Sequence, residues 1–267
     1  WKETFHIMHE MKPDTHHWHD LLAGDIPPWV MRFIKLTGKA INTHHMIKEH
    51  DSVLLSVSGG KDSLALALAL SIRLKWLPIT YAMQALMINW IEHPIDAGAR
   101  ALLIEYFAAL NIPLTILDEP QYPTSFKGEF NCYLCSRNRR RLLFDYAAAH
   151  DCKLIATGHH LDDLVETTLL NLTSRANFST MLPVQEFFGG KLHIIRPMIE
   201  VHEQTTRRLS EEYRLPAVKP VCPHDQTNIR SRLKPIVREL VRIDRDAREH
   251  IYNAHRFSYR IPRETEG

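Results

Sequence analysis

No apolar run in the sequence approaches the roughly 20 residues of a membrane-spanning helix, so no such helix is expected and no membrane partner. Cysteine is scarce: four in 267 residues, with a polar, histidine-rich start in place of a secretion signal. That scarcity excludes a disulfide-stapled scaffold and points to a reducing, cytoplasmic compartment, where thiols serve metals or catalysis. There is no internal repeat and no low-complexity linker. Charge of one sign is also missing overall, since the formal net charge is +2. The average hides an asymmetry, with ten Lys or Arg against four Asp or Glu between Arg230 and Arg263. A basic end of that kind suits a nucleic-acid backbone, or else forms a solvated helical face. What is abundant is apolar content, 45% of the chain, which suffices for a sizeable core.

The chain is organised around residues 56–63, SVSGGKDS. They lie between an apolar run (Val53, Leu54, Leu55, Val57) that reads as a buried strand and a Leu/Ala tract, Leu64 to Leu70. The tract alternates Leu and Ala like a strand, yet both are strong helix formers, so a helix is expected. Gly59 and Gly60 then fall on a strand-to-helix turn, where the missing Cβ lets the backbone approach a ligand. Backbone N–H groups at the start of the helix, with its dipole behind them, make a polyphosphate site of Ser58, Gly59, Gly60, Lys61, Asp62 and Ser63. The spacing is not that of a Walker A loop, because Lys61 follows a Gly-Gly pair and Asp62 precedes Ser63. The bland alternative is a glycine turn capped by Asp62 or Ser63.

Along the chain, strands are expected at 52–57, 79–89, 112–117, 153–157 and 192–196. Helices are expected at 29–48 and near 64–75, 96–110, 137–150, 162–174, 202–213 and 229–243. Strands separated by helices imply an α/β fold: an open, mostly parallel sheet with helices on both faces and helical N- and C-terminal extensions. The expected division is an N-terminal helical extension at 1–50, a catalytic domain at 51–225 and a basic helical segment at 226–267. Ligands of such sheets bind beyond the carboxyl ends of the strands, so the loops at 58–63, 89–93 and 158–163 converge on one crevice. The cluster His6, His9, His16, His17 and His19 lacks a convincing ligand spacing and reads as solvated surface.

Cys132 and Cys135 stand three residues apart, followed by Arg137, Arg139, Arg140 and Arg141, and Cys222 stands alone between Pro220 and Pro223. Two thiolates at that spacing grip one metal centre, and a distant third can close on it. An iron–sulfur cluster with one open iron, a zinc site completed by His224 or Cys152, and a redox thiol pair all fit. Cys152, among apolar neighbours, reads as a packed thiol. Arginines beside the pair lower thiolate pKa and attract phosphate. Gly158-His159-His160-Leu161-Asp162-Asp163 follows the fourth strand. One aspartate caps the next helix, while the other turns into the crevice to hold Mg²⁺ or orient the attacked group.

The loop resembles the SGGxDS signature of the PP-loop ATP pyrophosphatases. The wider set SGGKDS (58–63), CYLCSRNRRRLLF (132–144), GHHLDDLVETTLLNL (158–172), Arg196-Pro197 and Cys222 is similar to their tRNA thiolation branch. It looks most like the tRNA 2-thiocytidine synthetases, over about residues 30 to 242. The resemblance implies a tRNA-cytidine 2-sulfurtransferase that uses ATP and Mg²⁺ to adenylylate the C2 oxygen of cytidine 32 and then replaces it with sulfur. It implies a [4Fe–4S] cluster on Cys132, Cys135 and Cys222, catalytic roles for these and Asp162, and Mg²⁺ on Asp162. ATP would lie on residues 58–63 with Gly158 and His159, and tRNA on Arg139, Arg140, Arg230 and Arg232. A sulfur donor, either a cysteine desulfurase or sulfide, is implied as a partner, and a homodimer is left open. The paired-cysteine zinc fingers of the related 2-thiouridine synthetases are absent. Lysidine synthetase shares a similar GHH-DD-ET string but needs neither the cysteine pair nor a third cysteine. A non-catalytic metal- and nucleic-acid-binding module would leave SGGKDS beside two carboxylates without a reason.

Overall fold

The computed structural model describes residues 17–122, 126, 128, 132–218 and 229–254, the side chains of 229–231 excepted. Two helices come first, α1 (Trp18–Ala23) and α2 (Pro28–Thr43). The alternating core follows as β1 (Ser52–Val57), α3 (Lys61–Leu74), β2 (Ala82–Trp90), α4 (Ala97–Ala109) and β3 (Leu114–Glu119). It continues through α5 (Cys132–Ala149), β4 (Leu154–Thr157), α6 (Leu161–Arg175), β5 (Val184–Phe187) and β6 (Leu192–Ile195). Helices α7 (Glu203–Glu212), α8 (Ile229–Ile243) and α9 (Ala247–Ala254) close the described chain.

The six strands form one sheet in the order β3-β2-β1-β4-β6-β5, parallel except where β5 pairs antiparallel with β6. All five expected strands are present, and β1 spans its expected residues. The β5–β6 hairpin arm was not expected. Strand β5, Val184-Gln185-Glu186-Phe187, has apolar residues only at its two ends and so lacks the apolar run that marks β4 and β6, although Phe188, Gly189 and Gly190 turn it with positive φ. Chain order reverses after β3: β1, β2 and β3 step one way across the sheet, and β4 lands on the opposite side of β1. The switch point is therefore the gap between the carboxyl ends of β1 and β4, where open α/β sheets bind ligands.

Strand alternation sorts the core onto two faces. Val53, Leu55 and Val57 join a large cluster with α1, α2, α3, α4 and α6, which also takes in Tyr252 of α9. Leu54, Leu86, Ile88, Trp90 and Ile155 point the other way and meet Leu143 and Ala147 of α5. Helix α3 lies so deep that every residue from Ser63 to Arg73 is buried. That explains its sequence: a helix covered on all sides has no polar stripe, so Leu/Ala alternation carries no strand meaning here. Tyr106 of α4 donates its hydroxyl to the Leu64 carbonyl at 2.9 Å, fixing α4 against α3.

Candidate functional site

The turn after β1 has Gly59 at φ +80°, a conformation that favours glycine, and Gly60 as the residue before α3. Its hydroxyls organise the loop from inside. Ser63 Oγ donates to the Gly60 carbonyl at 2.8 Å, and Gly60 N–H donates to Ser58 Oγ at 3.3 Å. The first N–H groups of α3 have no intrahelical acceptor, and Gly60 offers no side-chain cap, so this end suits an anion.

Gly158, on the neighbouring strand's loop, lies against this turn. A Cβ there would sit 2.9 Å from the Asp62 carbonyl carbon and oxygen and from Ser63 N, all backbone atoms that cannot move aside. Only glycine lets the β4–α6 loop come this close, so the 58–63 and 158–160 loops form one wall. His159 Nδ1 lies 2.8 Å from Thr157 Oγ1 on the same wall.

Behind the loop is a charged network contributed mainly by α7, α8 and α9. Lys61 Nζ lies 2.9 Å from Asp62 and 3.2 Å from Glu203, which also pairs with Lys234 at 3.3 Å. Thr206 donates to Asp62 Oδ1 at 2.5 Å. Burial pushes the Glu203 carboxyl up, but Lys61 and Lys234 overcome it and hold the group at about 2. Burial pulls Lys234 down, and Glu203 with Glu166 raises it above its ordinary value. His160 is buried between the two aspartates, Nε2 3.8 Å from Asp62 and Nδ1 4.0 Å from Asp162.

Asp162 and Asp163 have different partners. Asp163 closes a capping box with His160, accepting from its backbone N–H at 3.0 Å. Asp162 is buried, and both its oxygens are engaged. Oδ2 accepts from Glu203 N–H at 2.8 Å, while Oδ1 accepts from Arg248 Nε on α9. Asp162 lines a cavity of about 440 Å³ with Glu166, Arg207, Lys234 and Arg238. Sequence reasoning missed Glu203, Thr206, Lys234 and Arg248. They come from three separate helices, and no short spacing links them to residues 58–63.

Cys132 and Cys135 occupy the first turn of α5, Cys132 exposed and Cys135 half-buried, neither in a disulfide. Gln121, itself buried, donates Nε2 to Cys135 Sγ at 3.1 Å. The sulfur keeps further lone pairs for a metal. Cys222 and His224 lie outside the described residues. The chain leaves for them from Val218, whose N–H donates to the Gly59 carbonyl at 2.8 Å. Val218, a described residue, thus lies against the phosphate loop. Cys152 is buried, accepting from Gln84 Nε2 at 2.9 Å with Ser52 Oγ at 3.2 Å, which suits a packed thiol.

Of the expected RNA contacts, Arg140 and Arg232 are exposed and Arg139 is half-buried with its guanidinium over the Trp90 ring at 5.4 Å. The side chain of Arg230 is outside the description. Arg196, at the end of β6, is buried; burial and then nearby Arg140 pull its pKa down to about 10. Arg196 donates from Nη1 to the Leu182 carbonyl at 2.5 Å and from Nη2 to Gln185 Oε1 at 3.1 Å.

A parallel sheet reversed beside β1, with a Gly-Gly phosphate turn over the gap, defines a nucleotide-binding α/β enzyme of the PP-loop type. The PP-loop domain matches residues 32–244, and the chain belongs to that family. It is similar to the tRNA-cytidine(32) 2-sulfurtransferase of Alkalilimnicola ehrlichii, 34% identical over 228 residues, covering 84% of this chain and 72% of the relative. The protein of the same name from Syntrophotalea carbinolica is 36% identical over 217 residues, covering 77% and 81%. Among solved structures, the U34-tRNA thiolase NcsA of Methanococcus maripaludis with its [4Fe-4S] cluster shares the fold. Its TM-score is 0.70 at 20% identity, covering 85% of this chain and 78% of that one.

Proposed function

We propose that this chain is an ATP-dependent tRNA sulfurtransferase that exchanges the C2 oxygen of cytidine 32 for sulfur. The observation that supports it is a phosphate loop and a cysteine pair on the same end of one sheet, in a relative of tRNA-cytidine(32) 2-sulfurtransferases. Ser58 to Ser63 receive the ATP phosphates, with the N-terminus of α3 opposite the negative charge that builds on them. Lys61 is already held by Asp62 and Glu203 and so needs little reorganisation to meet a phosphate oxygen. Gly158 and His159 close the other side of the nucleotide. The C2 oxygen attacks the α-phosphorus, the bond to the β-phosphate oxygen breaks, and pyrophosphate leaves. Sulfide then attacks C2, and AMP departs with the original oxygen; a desulfurase persulfide would supply the same atom once a second thiol reduces its S–S bond.

Cys132, Cys135 and Cys222 would hold the [4Fe–4S] cluster. When bound through three thiolates, such a cluster keeps one iron open to a sulfur atom. Asp162 is the carboxylate we assign to Mg²⁺, and it becomes available to a metal only where Arg248 gives way. Arg139, Arg140 and Arg232 meet RNA phosphates.

The test is anaerobic turnover with tRNA, ATP and sulfide, following AMP, pyrophosphate and 2-thiocytidine by mass spectrometry. The chain as sequenced should form 2-thiocytidine at position 32. Asp62→Ala and Ser63→Ala, confirmed folded by circular dichroism, should lose both AMP release and thiolation. Undiminished AMP release by both variants, or lysine-dependent modification in place of thiolation, overturns the proposal.

A further inference from the structure

Arg73 is a buried cation with no acidic partner. It lies near the C-terminal end of α3, 8% exposed, and no carboxylate among the described residues forms an ion pair with it. Among the described residues its one hydrogen bond runs from Nη2 to the side-chain oxygen of Asn42 at 2.9 Å, and Nε is buried with no partner. The guanidinium is pressed onto α2 at Gly38, where a Cβ would lie 2.8 Å from Nε and 3.0 Å from Cζ. A larger residue at 38 would displace it.

Tyr81, just before β2, is 7% exposed, and its hydroxyl also has no partner among the described residues. Burial raises its pKa and Arg73 lowers it, leaving it at about 12, so the hydroxyl keeps its proton and remains a donor. Arg73, Tyr81 and Asn42 line one cavity of about 240 Å³, whose walls include Ile41, Ile47 and Leu77. A second apolar hollow of about 470 Å³ adjoins at Arg73, Asn42 and Leu77. Buried charges are ordinarily paired, and buried hydroxyls ordinarily bonded. Here a cation with no carboxylate partner and a hydroxyl with no acceptor among the described residues meet an apolar chamber.

We propose that this chamber is a binding site for a small organic carboxylate, its carboxylate on Arg73 and Tyr81 and its apolar body between Ile41, Ile47 and Leu77. One guanidinium balances one negative charge, which favours a monocarboxylate over a phosphate dianion. The apolar walls favour a hydrocarbon body over a sugar or nucleotide. The site is separate from the phosphate loop: Arg73 follows Lys61 by twelve residues on α3, about 18 Å at helical rise. The chamber therefore opens at the end of the sheet opposite the nucleotide crevice.

Calorimetric titration of the full chain with sodium hexanoate, and with hexanol as the uncharged probe, tests this. Hexanoate should bind saturably and about ten-fold more tightly than hexanol, the preference a charge-assisted bond gives. Arg73→Gln should abolish the preference for the acid, and Tyr81→Phe should weaken hexanoate while leaving hexanol unchanged. Asp62→Ala should bind hexanoate like the unmodified chain. Thermal unfolding adds an arm that does not depend on ligand: removing an unpaired buried charge should leave Arg73→Gln as stable as the parent, or more so. If Arg73→Gln does not fold, the Tyr81→Phe arm decides. Hexanoate binding that is absent, no tighter than hexanol, or unaltered in Tyr81→Phe overturns the proposal, as does its loss in Asp62→Ala.

Discussion

Glu203 is a carboxylate between two ammonium groups, Lys61 at 3.2 Å and Lys234 at 3.3 Å, and its side chain is only 15% exposed. Its carboxyl falls from 4.5 to about 2 on folding. A depressed carboxyl stabilises the folded state above its unfolded value, and the contribution is lost as pH falls between about 4.5 and about 2. The full contribution is on the order of 3 kcal/mol. Glu203→Gln should therefore destabilise the protein at pH 7, where it leaves two lysines without their shared partner. It should also flatten the loss of stability on acidification. Urea unfolding of both proteins at several pH values reads this, and parallel pH profiles would show that Glu203 is not the group responsible. Single residues also mark where sequence reading reached and where it stopped. Gly158 was read as a nucleotide contact; in the structure its missing Cβ makes room for the backbone of the phosphate loop. Glu203 was not legible, because its meaning comes from Lys61 and Lys234, 142 and 31 residues away.

At the level of elements, strands were read well because the sheet is buried on both faces and its strands are short apolar runs between breakers. Helix α6 was expected near 162–174, but α1 and α9 were not, being six and eight residues long. Helix α5 was expected to start near 137, after the cysteine pair. It is helical from Cys132, so the two thiols lie one turn apart on one face. That placement makes a prediction for the element as a whole. Ala at Cys132, Cys135 or Cys222 leaves at most two thiolates, which should not retain a cluster, so iron and thiolation should vanish together. ATP binding should survive in each, because the phosphate loop belongs to α3. Cys152→Ala should keep its iron and lose only about 1 kcal/mol of stability, the cost of a small buried group with two polar neighbours. Iron and acid-labile sulfide per chain, measured without oxygen, decide it. Retained iron in Cys222→Ala, or lost iron in Cys152→Ala, would reassign the ligands.

Across the whole molecule, the basic C-terminal region is less available to RNA than its composition suggests. Lys234 and Arg248 face inward to Glu203 and Asp162, and Arg242 pairs with Glu239. Arg137, Arg140 and Arg232 make no ion pair among the described residues, and all three are exposed. Two of them belong to α5, beside the cysteine pair, and Arg140 lies near buried Arg196. The molecule's net charge of +2 is too small to draw tRNA by itself, so binding should depend on this local patch. Affinity for tRNA should fall steeply with salt, since each phosphate contact releases counterions. Arg140→Gln should weaken binding and lower the slope of log affinity against log salt by about 1. Arg232→Gln should do the same if α8 lies along the RNA with α5. Arg242→Gln, which removes a cation already paired with Glu239, should change the slope little. Filter binding across a salt series measures all three. A salt-independent affinity, or an Arg242→Gln effect as large as that of Arg140→Gln, would show that α5 does not carry the RNA contact.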